Sequence, residues 1–361
     1  MEFDHAGRVR RLQERMGEGG VDVTLLSVGA DLPYFIGYEA MPSERLTVLV
    51  LPVSGDPIFF VPELEVPRVG AGEFEMRSWG ETEDPVRLAA GTASPAHVAV
   101  GDHMWSVFLT RFQKEWTGAD WSPASELTRS LRVIKDEAEI DLLRQAAHGV
   151  DRVMARIPGE VVFGGRTEAE VARELSGLTV EEGHEVAAFA IVASGPNGAS
   201  PHHHAGDRVI GEGDLVVCDF GGRRGGYFSD STRTVVVGDP GREHLEVHRA
   251  VAAANEAGRD AIQPGLPCQE VDRAARRVIE EAGYGEFFVH RTGHGIGLEV
   301  HEHPYMVEGN EETLEPGMAF SVEPGIYLPD RFGVRIEDIV VCTQDGVESL
   351  NQSSRALIPA D

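Results

Sequence analysis

Two stretches decide the reading of this chain: Gly213-Asp-Leu-Val-Val-Cys-Asp219-Phe-Gly221 and Gly317-Met-Ala-Phe-Ser-Val-Glu323-Pro-Gly325, which share the pattern G-x5-[D/E]-x-G at an offset of 104 residues. Each is an apolar strand ending in a carboxylate, followed by a turn region and a second acidic residue at a strand boundary. These are Asp230 before STRTVVV and Glu337 within VRIEDIVV, 11 and 14 residues further on. The echo reads as a duplicated β-hairpin unit with two carboxylates per copy. A buried carboxylate needs a partner, because an unpaired charge away from water is costly. Four brought together by two hairpins would repel one another, and cations resolve that conflict. Two divalent ions held about 3.5 to 4 Å apart by such ligands let a bridging water become a nucleophile.

Two further stretches carry histidines. In His290-Arg-Thr-Gly-His294-Gly-Ile-Gly-Leu-Glu-Val-His301-Glu-His303, glycines at 293, 295 and 297 allow close backbone packing around His294, which can ligate a metal through one imidazole nitrogen. The turn-rich Ser194-Gly-Pro-Asn-Gly-Ala-Ser-Pro201-His202-His203-His204 precedes the first acidic strand. Taken singly, each of these residues reads as a solvated or core group; together they read as a site. His148 and His248 read as helix-surface residues, and Glu302 and His303 receive no role.

The chain has 361 residues, with 60 Asp+Glu against 32 Lys+Arg and a formal net charge of −28. No basic surplus exists to displace counterions from phosphates, so a nucleic-acid or anionic-membrane partner is excluded as an expectation. The composition is that of a globular protein, and the length suits two domains. The first twenty residues lack the apolar run of a secretory signal, and no apolar stretch is long enough to span a bilayer. Cys218, Cys268 and Cys342 form no CxxC pair, which points to a reducing cytoplasmic compartment.

Before the acidic strands the pattern alternates. A charged amphipathic stretch from Asp4 to Met16 is followed by apolar runs at 21–28, 46–53, 57–61 and 97–101, the mark of a small α/β domain. A polar region at 122–130 leads into Arg132-Val-Ile-Lys-Asp136-Glu-Ala-Glu139, where Asp136 and Glu139 form a capping box opening a long helix. The boundary is therefore placed between 1–132 and 133–361. Further helices are expected from Thr167, with Glu170 as its capping partner, to Glu182, from Glu243 to Gly258, and from Glu270 to Gly283.

With Asp219 and Asp230 in CDFGG…YFSDSTRT, His294 in GHGIG, Glu323 in SVEPGIY and Glu337 in GVRIEDIV, the chain resembles the pita-bread metallopeptidases, specifically the branch of aminopeptidase P and prolidase. The resemblance covers nearly all of 133–357, and the amino-terminal third is compatible with the creatinase-like domain of that branch. It implies an α/β and α+β architecture: a small creatinase-like N-terminal α/β domain, then a duplicated pita-bread catalytic domain. It implies that Asp219, Asp230, His294, Glu323 and Glu337 bind two divalent metals, with Asp230 and Glu337 bridging. One nitrogen among many oxygens favours manganese, with cobalt, zinc or iron as alternatives.

By the same resemblance His202 contacts substrate or shuttles a proton, His301 steadies the tetrahedral intermediate, and Glu323 or a histidine hands a proton to the leaving imino nitrogen. Tyr227 and Arg335 match positions near the substrate carboxylate. The implied activity is hydrolysis of Xaa-Pro bonds by a metal-bridging hydroxide, in dipeptides or at the amino terminus of longer peptides. The substrates are small peptides with proline second. A homodimer is expected, with Asp31 in GADLPYFIGY lying where a neighbouring subunit's site can receive an acid. A creatinase-like C–N hydrolase, methionine aminopeptidase and a non-catalytic pita-bread interaction module remain the alternatives.

Overall fold

Helix starts and strand ends set where the functional side chains stand. The computed structural model describes residues 3–70, 72 and 74–361, and the chain divides into two units, Met1–Arg132 and Val133–Asp361.

In the first unit, Asp4 caps a helix over His5–Gly19 by accepting from the Gly7 N–H, and Gly20, at φ 67°, ends it. Leu12 and Met16 on its inner face are fully buried. The apolar runs become Val23–Leu26, Val48–Pro52, Ile58–Pro62 and His97–Val100, four strands of a six-stranded mixed sheet. The two outer strands, Glu75–Trp79 and Asp120–Pro123, lie in polar sequence that gave no strand pattern. Edge strands are covered on fewer sides, so they need no continuous apolar run. Asp31 is engaged within this unit: Arg132 donates to its Oδ1 at 2.9 Å and Thr128 to its Oδ2 at 3.2 Å.

The second unit repeats one order twice: two helices, then an antiparallel sheet. Asp136 and Glu139 exchange side-chain and backbone hydrogen bonds to open Glu137–Glu160, and Thr167 and Glu170 do the same for Glu168–Glu181. Ile140, Leu143, Ala147, Val150, Met154 and Ile157 make the buried stripe of the longer helix, at helical spacing. Each large apolar residue there contributes roughly 1.5–3 kcal/mol by leaving water. The sheet that follows runs Ile358–Ala360, Ser231–Val237, Leu215–Arg224, Val186–Ser194. Helices Arg242–Asp260 and Cys268–Glu281 precede the second sheet, ordered Glu302–Met306, Gly293–Gly295, Ala319–Val322, Asp338–Thr343, Gly346–Ser349. A separate ribbon joins Gly325–Leu328 to Phe332–Arg335.

Three expectations change. His248 is buried at 7 % exposure rather than on a helix surface, and burial lowers its pKa to about 4. Glu302 has a partner, the buried ammonium of Lys135 at 2.6 Å. The helix starting at Cys268 opens two residues before the position its acidic residue suggested.

Candidate metal centre

Asp219 sits inside the central strand Leu215–Arg224, paired with Thr232 on one side and Ile191 on the other. Asp230 immediately precedes the strand Ser231–Val237. The other half comes from strand ends: Glu323 follows Ala319–Val322, and Glu337 stands between Phe332–Arg335 and Asp338–Thr343. His294 is the middle residue of Gly293–Gly295. Its glycine neighbours are required by contact, since a Cβ on Gly293 would lie 1.8 Å from the Ser321 carbonyl oxygen and one on Gly295 2.2 Å from that of His303.

These five residues converge. Ligand atoms of Asp219, Asp230 and Glu337 form one group, those of His294, Glu323 and Glu337 a second, and within each group the atoms lie within 4.8 Å of one another. Glu337 belongs to both. A third group joins Asp230, His294 and His301. Asp219 Oδ1, Asp230 Oδ1 and Glu337 Oε1 are buried without a hydrogen-bond partner, although buried polar atoms are nearly always satisfied.

His294 makes the same point. Its Nδ1 faces the Gly295 carbonyl at 3.1 Å, which sets Nδ1 as the donor and leaves the Nε2 lone pair facing Glu323 Oε1 at 3.3 Å and Asp230 Oδ2 at 3.6 Å. Burial, and next the charge of His301, lower its pKa to about 3, so the ring is neutral near pH 7. A lone pair aimed at carboxylate oxygens is unfavourable unless a cation lies between them. Burial raises the carboxyl pKa of Glu323 to about 7. Burial, followed by repulsion from neighbouring carboxylates, holds Asp230 and Glu337 well above their ordinary range. The donor set fits divalent cations.

The surrounding bonds hold these groups in place. Arg335 donates to Asp219 Oδ2 at 2.6 Å, to the Tyr327 hydroxyl at 2.8 Å and to Thr232 Oγ1 at 3.0 Å. Thr232 donates to Glu337 Oε2 at 2.7 Å, and Arg233 to the Glu337 carbonyl at 2.6 Å. Buried Asn255 donates to the carbonyl of Val322 at 2.8 Å and of Ile336 at 3.4 Å, the residues just before Glu323 and Glu337. The Glu323 N–H donates to the Thr292 carbonyl at 2.7 Å.

A cavity of about 740 Å³ opens onto the cluster, lined by Asp219, Asp230, His294, Glu323, Glu337, Arg335, His202 and His301 among others. Phe189, Ile191 and Val300 form its apolar wall. Tyr227 is not brought there: it is buried at 1 % exposure and its hydroxyl donates to Glu139 Oε1 at 2.7 Å, which ties a strand to the long helix. Sequence reasoning gave that position a substrate contact because it neighbours a ligand; the strand turns its side chain into the core instead.

His290 was missed. It lines the cavity, and its Nε2 meets the Tyr327 hydroxyl at 2.8 Å. Burial lowers its pKa to about 4 and raises that of Tyr327 to about 12. Its position four residues before His294 was the available signal. Glu168 was also missed. Fully buried, it accepts from Ser194, Asn197 and His203, and so anchors the loop that carries His202.

Residues 141–344 match the metallopeptidase family M24, and residues 8–134 match the creatinase/prolidase N-terminal domain. The chain is 45 % identical over 362 residues to a Mycobacterium tuberculosis protein named "Probable dipeptidase PepE", covering 98 % of this chain and 96 % of that one. It is 35 % identical to a Lactobacillus delbrueckii Xaa-Pro dipeptidase, covering 96 % and 97 %. The crystal structure of a Thermococcus sibiricus prolidase superposes with a TM-score of 0.95 at 36 % identity, covering 99 % of this chain and all of that one (100 %). The chain belongs to metallopeptidase family M24, with a creatinase-type N-terminal domain before the pita-bread domain. It is an enzyme, a peptidase of that family. Among the described residues no helix is long and apolar enough to cross a membrane.

Proposed function

We propose that this chain hydrolyses Xaa-Pro bonds in small peptides as a two-metal exopeptidase. The observation that carries the proposal is the pair of ligand groups sharing Glu337 on the wall of one cavity. The names of the M. tuberculosis and L. delbrueckii relatives support the dipeptide substrate class.

Asp219, Asp230, His294, Glu323 and Glu337 would hold two divalent cations, manganese in first place, which supply Lewis-acid charge for the scissile carbonyl and lower the pKa of water. The chain's own residues do the rest. Phe189, Ile191 and Val300 offer apolar surface to the first side chain and exclude water. Glu323, held by the Ser321 hydroxyl at 3.2 Å, takes a proton from attacking water and returns it to the imino nitrogen. His301, at the exposed rim, and His202 donate to the developing oxyanion and orient the substrate. Three buried free thiols suit a reducing cytoplasm, and a homodimer is the proposed assembly.

The test is hydrolysis of an Xaa-Pro dipeptide beside an Xaa-Pro-Xaa tripeptide by chelator-stripped protein, before and after manganese. Metal-restored cleavage of the dipeptide identifies a prolidase, and of the tripeptide an aminopeptidase P. Metal binding with neither substrate cut overturns the proposal.

A further inference from the structure

Two guanidinium groups line the cavity, and they differ in what they touch. Arg335 is buried and engaged by Asp219, Tyr327, Thr232 and the Pro201 carbonyl. Arg291 is half-buried, and among the described residues its guanidinium meets no carboxylate and no hydrogen-bond acceptor. It lies instead on the ring of Tyr305, its Cζ 4.1 Å from the centroid. Stacking on a face fixes the plane of the group and leaves its N–H edge free.

The backbone beneath Arg291 is pinned on both sides. Arg276 donates to the His290 carbonyl at 2.8 Å, His290 Nδ1 contacts the Arg291 carbonyl at 2.7 Å, and the Thr292 N–H donates to Asp272 Oδ1 at 2.9 Å. The Arg291 charge also reaches the reacting end of the cavity. At His301 the pKa is lowered first by loss of solvent and next by that guanidinium.

Elsewhere in the unit, arginines such as Arg208, Arg233 and Arg273 are paired with carboxylates of the chain. A cavity arginine left without such a partner, on a rigid backbone and an aromatic platform, is a receptor for an external anion. Given the proposed reaction, the substrate supplies that anion. The carboxylate of an Xaa-Pro dipeptide sits two bonds beyond the imino nitrogen. In a longer peptide that position is a neutral amide.

We propose that Arg291, laid on Tyr305, binds the C-terminal carboxylate of the substrate and sets the preference for dipeptides over longer peptides. This rests on the Xaa-Pro reading above, and its test is built to fail separately. Manganese-loaded wild type, Arg291→Met and Arg291→Lys are compared on an Xaa-Pro dipeptide and its C-terminal amide. The same proteins are titrated calorimetrically with proline and prolinamide, which needs no turnover.

A charge-assisted bidentate contact corresponds to about a 10- to 100-fold preference for the acid in wild type. Arg291→Met brings the acid-to-amide ratio of kcat/KM near one, chiefly through KM, and Arg291→Lys keeps part of it. Proline binding follows the same order. Equal handling of acid and amide by wild type, or equal loss of both in Arg291→Met, overturns the assignment. Carboxylate-selective binding lost in Arg291→Met, without any cleavage by wild type, strikes the proposed reaction and upholds the assignment.

Discussion

Asp219 lies within a ladder, hydrogen-bonded strands on both sides, whereas the ladder of the second half stops at Val322 and Asp338, one residue short of both Glu323 and Glu337. The first half is thus placed by backbone register, which a sheet determines through many mutually supporting bonds. The second half is placed by buried side chains reaching in from elsewhere: Asn255 from the helix Arg242–Asp260, and Thr232 from the first half's own strand. The two halves carry the same residue type on echoing sequence, yet the strand-end pair depends on a handful of single hydrogen bonds.

The largest effect is expected where the halves meet. Glu337→Gln removes the carboxylate common to both ligand groups, so calorimetric titration should find both high-affinity manganese sites lost and kcat/KM down about 10³-fold, the several kcal/mol that metal charge supplies. Asp219→Asn should leave one site, because the group of His294, Glu323 and Glu337 does not include Asp219. Two sites surviving in Glu337→Gln would break the picture of a shared ligand.

Next comes Asn255→Ala, which touches no proposed ligand. Its amide holds the carbonyls before Glu323 and Glu337, so manganese affinity should fall about 10- to 100-fold. Stability should fall by about 1–3 kcal/mol, since two buried acceptors lose their donor. Lost stability with unchanged metal affinity would mean that the second half holds its ligands without this clamp.

The smallest effect is a pH slope. In the cation-free chain Glu323 has a pKa near 7, and Asp230 and Glu337 are also raised. The folded state therefore keeps protons that the unfolded chain has released, and stability falls as pH rises. Buried His290 and His294, lowered to about 4 and about 3, act with the opposite sign, but only below about pH 6.5, where unfolded histidine titrates. Between about pH 6.5 and 8 the melting temperature of chelator-treated protein should thus drop by a few degrees, and saturating manganese should remove the drop. A flat profile without metal would show that the carboxylates do not share the strain the geometry gives them.

The legible parts of this molecule are those whose chemistry is local. Asp136 with Glu139 and Thr167 with Glu170 announce helix starts, because a capping box closes within four residues. Strands Val23–Leu26 and Leu215–Arg224 announce themselves by apolar runs, being covered on both faces. The edge strands Glu75–Trp79 and Asp120–Pro123 do not, since an edge tolerates polar residues. In the site, an acid at the end of an apolar run is conspicuous, so Asp219 and Glu323 stand out. Asn255, Glu168 and His290 do not, because what each touches is far away in sequence or set by a turn.

Sequence alone thus determined the helix starts, the main strands, the duplicated acid pattern and the histidine-bearing loops, all of which are written in spacings of a few residues. Tertiary structure alone decided which of those groups meet. It turned Tyr227 onto Glu139 and His248 into the core, bound Lys135 to Glu302, set Asn255 across two strand ends, and left Arg291 stacked on Tyr305 without a partner. The physical reason is that burial and long-range pairing set the cost of each polar group, and those costs exist only once the chain has closed around it.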